Sequence, residues 1–231
     1  VDYAANLKKL CNRLRRELGT PAKPDPLDPV SEILLACLTA YTTESQAKTA
    51  LHHLQKAFVD FNELRVCRID EIAEVFGARF PHAKDIAGQI ITLLKQIFDR
   101  QDHLHLFQSG GKREAKAFLE SLEGSTPYLI SRVMLYCLNA HCFPVNTSLL
   151  EMLRNENAID PAAEPAVVQT FLERQIPASK IQKTYVLLRQ YADHYQPGTA
   201  AADKNPSAPK TPRKKTAPKN KTGKKKPAKP Q

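Results

Sequence analysis

The chain of 231 residues is 42% apolar and carries a formal charge of +10, enough apolar material for one or two packed domains. It contains no apolar run long enough to span a membrane as a helix, which excludes the integral membrane class. Its five cysteines, Cys11, Cys37, Cys67, Cys137 and Cys142, are odd in number and mostly in apolar surroundings. They read as reduced, buried thiols of a cytoplasmic (nucleoid-associated) or nuclear protein.

The opening stretch VDYAANLKKLCNRLRREL is amphipathic, without the apolar core or small-residue cleavage site of a secretory signal. PAKPDPLDP, residues 21–29, is a proline-rich connector that cannot be helical throughout. Asp28 can cap the next helix, with Pro29 in its first turn. Apolar residues then recur in steps of three and four. Ala47, Ala50, Leu51, Leu54 and Phe58 share one face, as do Ala83, Ile86, Ile90, Leu93 and Ile97.

Helix breaks fall at GARFP (77–81) and QSGG (108–111). His103 and His105 lie in a polar linker and read as solvated. Lys112, Arg113 and Lys116 form a small basic face beside Gly110–Gly111, open to DNA or simply to solvent. Ala115, Phe118, Leu119 and Leu122 mark a shorter helix, and Ile181, Tyr185, Leu188 and Ala192 a last one. No period-two run rich in Val, Ile and Thr interrupts the pattern, so the body is all-α, with roughly ten short helices.

Between these helices stands LEGSTPYLIS, residues 122–131. Gly124 suits a backbone conformation other residues avoid, Thr126 is a good N-cap and Pro127 a good first helical residue. Ser125, Thr126 and the free amides of such a helix mouth could receive a phosphate. The same residues also make an ordinary capped helix start. Downstream, Cys137, His141 and Cys142 have helical spacing but lack a fourth ligand, so no metal site is expected.

From Thr199 to Gln231 eleven basic residues face one acid, leaving 23 of each sign in residues 1–198. This tail has six prolines and no large apolar residue, so it is expected to be disordered. Its lysines, Lys214, Lys215, Lys224, Lys225 and Lys226 among them, make it a polybasic arm for nucleic acid or a solubilising spacer. The expected organisation is a helical domain over 1–198 and a disordered tail over 199–231.

Three ordered blocks resemble the helix-hairpin-helix superfamily of base-excision DNA glycosylases, the endonuclease III-like proteins. DPVSEILLACLTAYTTESQAKTALHHL (28–54) is similar to that family's proline-led opening segment. FGARFPHAKDIAGQIITLL (76–94) resembles its Gly-Leu-Tyr-x-x-Lys-Ala segment, and LEGSTPY (122–128) its hairpin Leu-Pro-Gly-Val-Gly-Arg-Lys. Together they cover most of 28–155. The resemblance implies a two-lobed helical fold, a monomer, and double-stranded DNA, damaged or bent, as the partner.

The departures from that pattern fall on the chemistry. The family's bifunctional members use a lysine as nucleophile where this chain has Tyr128, and a phenol cannot form an imine. Adenine-mismatch members likewise have tyrosine there. The aspartate that supports the sugar cation is matched by Asn146, 22 residues after Gly124, which keeps the shape and loses the charge. The glutamate that protonates a departing adenine is matched by Ala36, and Glu32, on the same helix, reads as a surface or cap residue. Thr126 replaces the hairpin's second glycine, with the Ser125 and Thr126 hydroxyls as the available compensation. No cysteine follows Cys142, so no iron–sulfur cluster or other cofactor is expected. Tyr41 matches the residue that fills the gap left by a flipped nucleotide, where an aromatic ring could stack; it equally fits a half-buried helix end. The expected function is DNA binding with impaired or lost catalysis. An active monofunctional glycosylase and a helical module for protein or RNA are the alternatives.

Overall fold

The computed structural model describes residues 1–22 and 24–195. Lys214, Lys215, Lys224, Lys225, Lys226 and the rest of the basic tail lie outside the described residues. Among those described there are twelve α-helices and no strand, and no helix is long and apolar enough to cross a membrane. In chain order they are α1 (Tyr3–Leu18), α2 (Pro29–Thr39), α3 (Glu44–Ala57), α4 (Phe61–Leu64), α5 (Ile69–Phe76), α6 (Ala83–Asp99), α7 (Leu106–Ser109), α8 (Lys112–Glu120), α9 (Pro127–Leu138), α10 (Thr147–Asn155), α11 (Pro165–Gln175) and α12 (Ala178–Asp193).

The helix ends follow the local sequence. Asp28 accepts from the Ser31 amide at 3.0 Å and opens α2, with Pro29 at its first position. Thr43 and Gln46 form a reciprocal capping box on α3. Gly77, at φ +89°, closes α5 and Gly110, at φ +78°, closes α7.

Two apolar cores result. One packs α2, α3, α5, α6, α8 and most of α9, with residues such as Leu34, Leu54, Ile90, Leu119 and Val133 buried. The other gathers α1, α10, α11 and α12 around Phe143, Leu149, Leu172 and Leu188. The chain therefore begins in the second lobe, builds the first, and returns. Helix α9 serves both, sending Leu129, Val133, Met134 and Leu138 into the first core and Leu135 into the second.

A helix buried on all sides should be apolar, yet α9 carries Arg132, 1% exposed. Its Nε donates to Glu32 of α2 at 2.8 Å, and its two terminal nitrogens clasp the Glu44 carboxylate of α3, each at 2.9 Å. Its guanidinium also lies over the Tyr136 ring, 4.7 Å from the centroid. Glu32, expected on the surface, is 3% exposed. Arg132 is the physical cause of that burial: a guanidinium desolvated at the centre of α9 needs carboxylates, and Glu32 is one of them.

A second buried arginine completes the join. Arg189 of α12 bonds Asp193 at 2.7 Å, the Thr39 carbonyl at 3.1 Å, the Thr42 carbonyl and the Tyr128 hydroxyl at 3.3 Å. Asp193 in turn accepts from the Glu44 backbone amide at 2.8 Å. One continuous polar network thus ties α2, α3, α9 and α12 together.

Removing Arg132 would leave two carboxylates without their partner. Arg132→Met should lower stability by about 3–5 kcal/mol, measured by urea denaturation at neutral pH; a loss under ~1 kcal/mol would contradict the network. The two acids titrate in opposite senses. Burial pushes Glu32 above its ordinary 4.5, more than Arg132 pulls it down. Burial also acts upward on Glu44, but the Arg132 charge and hydrogen bonds outweigh it and hold that carboxyl below 4.5. Glu44 therefore contributes stability above its unfolded value, lost as pH falls through the lower folded one, whereas Glu32 gains stability on protonation above 4.5. Glu44→Gln should flatten the acid loss of stability below pH 4.5, and an unchanged acid limb would refute the assignment.

Candidate functional site

The turn between α8 and α9 is held from below. The Ser125 amide donates to the Leu122 carbonyl at 3.1 Å, and Gly124 sits at φ +86°. A Cβ there would meet Gln89 Cγ at 3.7 Å and Leu93 Cγ at 4.0 Å, ordinary contacts; the backbone conformation, not lack of room, requires glycine. Thr126 accepts from the Leu129 amide at 3.2 Å and Pro127 begins α9.

Helix α6 fixes the turn through side chains that the sequence reading did not select. Gln89 donates to the Gly124 carbonyl at 2.7 Å. Gln96 accepts from the Glu123 amide at 2.9 Å and donates to its carbonyl at 3.1 Å, and Arg100 donates to the Ser121 hydroxyl at 2.9 Å. A spacing of seven puts Gln89 and Gln96 on one face of α6, and Arg100 follows at the helix's C-cap. That polar row was the available signal, though nothing in it named the backbone it would bind. Of the two hydroxyls proposed to compensate for the missing glycine, Thr126 is taken up in capping α9, and Ser125 Oγ is shielded from solvent and has no partner among the described residues.

Beside the turn lies a cleft of about 190 Å³. It brings together five residues singled out in the sequence, Ala36, Tyr41, Thr126, Tyr128 and Asn146, and adds Gln89. Tyr41 stands at its rim, just past the end of α2 and 54% exposed, its ring 5.0 Å from that of His82. Tyr128 is buried, and its hydroxyl points into the inter-lobe network. It donates to Thr39 Oγ1 at 3.1 Å and accepts from Arg189, with the Tyr185 hydroxyl at 3.2 Å.

Asn146 is committed on both sides of its amide. Oδ1 accepts from the Leu149 amide at 3.2 Å, capping α10. Nδ2 donates to the Thr39 and Ala40 carbonyls at 3.4 and 3.5 Å, satisfying the C-terminal end of α2. Ala36 contributes a methyl group. Cys37, also lining the cleft, is fully buried and desolvation pushes its thiol up to about 12. Among the described residues the cleft wall holds no carboxylate, imidazole or amine.

Other selected residues lie elsewhere. Lys112 donates to the Asn139 carbonyl at 3.5 Å, which places it at the far end of α9 from the turn, with Arg113 exposed next to it. His141 bonds the Ile176 carbonyl at 2.9 Å. Among the described residues no group of three or more His, Cys, Asp or Glu is placed to hold a metal ion. His103 and His105 are exposed, as read from the sequence, and the His103 ring also lies 5.1 Å from that of Phe118.

No protein-family model and no curated protein sequence matches the chain. Solved structures do match its fold. Endonuclease III, trapped as a covalent intermediate with DNA, has a TM-score of 0.68 at 11% identity, over 87% of this chain and 92% of that one. The 8-oxoguanine glycosylase/lyase of Clostridium acetobutylicum, in complex with DNA, has 0.63 at 15% identity, over 84% and 71%. The 3-methyladenine DNA glycosylase of H. pylori, bound to 1,N6-ethenoadenine, has 0.61 at 17% identity, over 84% and 98%. The fold is the two-lobed helical one of the helix-hairpin-helix base-excision glycosylases, as the sequence blocks implied.

An aspartate at position 146 would keep the cap on α10 but turn an acceptor towards two carbonyls now receiving a hydrogen bond. Asn146→Asp should cost about 1–2 kcal/mol at neutral pH, with the deficit shrinking in acid as the carboxyl regains a proton to donate. Denaturation at two pH values tests this; a variant as stable as the parent at neutral pH would show that the amide donor is dispensable.

Proposed function

We propose that this chain binds double-stranded DNA, damaged or bent, on a glycosylase scaffold whose base-removing chemistry is impaired or lost. The observation that carries the reading is the cleft wall: Tyr41, Tyr128, Asn146 and Ala36 converge there, and among the described residues no carboxylate, imidazole or amine accompanies them. Removing a base by hydrolysis needs a group to stabilise the sugar cation and one to prepare water or protonate the leaving base. Asn146 has no charge to offer, and loss of one such electrostatic group costs roughly 10²–10³ in rate. Tyr128 cannot form an imine.

The gripping parts are intact by the same reading. The turn at Gly124 has its backbone geometry held by Gln89 and Gln96, and it opens a twelve-residue helix whose positive N-terminal end would favour a phosphate, with Pro127 lacking an N–H and the Leu129 amide taken by Thr126. Tyr41 is exposed at the cleft rim, where a ring can occupy the gap of a displaced nucleotide. The tail over 199–231 adds charge that is not sequence-specific; if all eleven of its bases engaged, log affinity would fall against log salt with a slope approaching about −10.

Fluorescence anisotropy with matched and abasic-analogue duplexes tests the reading. The parent should prefer the abasic duplex, and Tyr41→Ala should weaken that complex by about 1–3 kcal/mol while changing matched-duplex binding little. Deleting 199–231 should flatten the salt dependence for both. Equal affinity for DNA and unrelated acidic polymers, with no abasic preference, would instead mark a general helical interaction module.

A further inference from the structure

A cleft of about 580 Å³ lies in the second lobe between α1 and the α11–α12 junction, and no residue of the Tyr41–Asn146 cleft lines it. One wall is a face of α1 bearing Lys8, Asn12 and Arg15; the other carries Lys180 and Thr184 of α12. The spacing of seven between Lys8 and Arg15 stacks both on the same helical stripe. Arg15 reaches across to the Thr184 hydroxyl at 3.5 Å, and Thr184 is itself 2% exposed. That long contact leans the exposed guanidinium of Arg15 towards the cleft.

The charge at this cleft is not neutralised. Asp2 is the one acid in the lining, and its carboxylate accepts from the Ala5 amide at the start of α1. Lys8, Arg15 and Lys180 form no ion pair among the described residues, and neither do the exposed neighbours Lys9, Arg16 and Lys183. Six like charges crowded on two adjoining helices repel one another, and a multivalent anion relieves that repulsion. A guanidinium fork, two ammonium groups, an amide and a hydroxyl are the donors that phosphate oxygens accept from.

We infer that the α1–α12 cleft is a second binding site, for a phosphate-bearing ligand, separate from the candidate DNA-gripping turn. The phosphate can belong to a nucleic-acid backbone or to a free nucleotide, and the inference holds whether or not the Gly124 turn binds DNA.

The test uses the full chain and two charge-matched variants. Lys8→Gln/Lys180→Gln strips the cleft, and Lys56→Gln/Lys95→Gln removes two exposed cations from other surfaces; thermal melting verifies that both fold. Each is titrated with a short duplex over a range of salt, and separately with adenosine triphosphate while backbone amide resonances are followed. If backbone phosphates occupy the cleft, stripping it lowers the magnitude of the duplex salt slope by about 2, the control leaves it unchanged, and Lys8→Arg/Lys180→Arg retains it. If a free nucleotide is the ligand, the triphosphate shifts amides of α1 and the start of α12 in the parent and not in the stripped variant, with duplex binding unaltered. Should the stripped and control variants behave alike in both titrations, the cleft is no phosphate site and the inference is overturned. Loss of duplex binding on disrupting the Gly124 turn, with the triphosphate shifts preserved, separates this site from the proposed DNA grip.

Discussion

Two arginines buried at the junction of the lobes constrain everything around them. A guanidinium out of water demands carboxylates and carbonyls at hydrogen-bonding distance, and α9 can meet that demand only by drawing in Glu32 from α2 and Glu44 from α3. Arg189 makes a parallel claim on Asp193 and on the carbonyls at the end of α2. The hydroxyl of Tyr128 is absorbed into the same network. A buried ion pair of this kind stabilises little by comparison with apolar packing, but it fixes one arrangement, because every alternative leaves a charge unpaired.

That arrangement determines what the neighbouring cleft can do. With Tyr128 satisfied inwards and Asn146 divided between capping α10 and holding the end of α2, the polar groups at its wall serve the fold. Both residues act as structural ties between helices. The turn at Gly124 and the ring of Tyr41 remain presented on the same side. Under the proposed function, the turn and the Tyr41 ring would supply the contact with a duplex, beside a cleft wall that offers no carboxylate, imidazole or amine among the described residues, on a fold like that of endonuclease III.

How much of this was legible in the sequence depended on range. Features set by neighbours a few residues apart were readable: the apolar stripes of α3, α6 and α12, the Asp28 and Thr126 caps, and the positive φ at Gly124. Block order and spacing carried the fold further than any single motif, and the convergence of Ala36, Tyr41, Tyr128 and Asn146 on one cleft followed from it. Glu32 was misread because its reason for burial stands 100 residues downstream. Gln89 and Gln96 were missed because they bind backbone, which has no sequence identity. Lys112 lay near the hairpin along the chain but at the other end of α9 in space.

The most direct test of the central claim is base release under multiple turnover. The unmodified chain, held well below the concentration of duplexes carrying oxidised, alkylated, deaminated and mismatched bases, should bind them and liberate no free base beyond background over many hours. Repeated excision of any one of these bases would mean that chemistry survives in a cleft lacking carboxylate, imidazole and amine, and the account given for Tyr128 and Asn146 would be wrong.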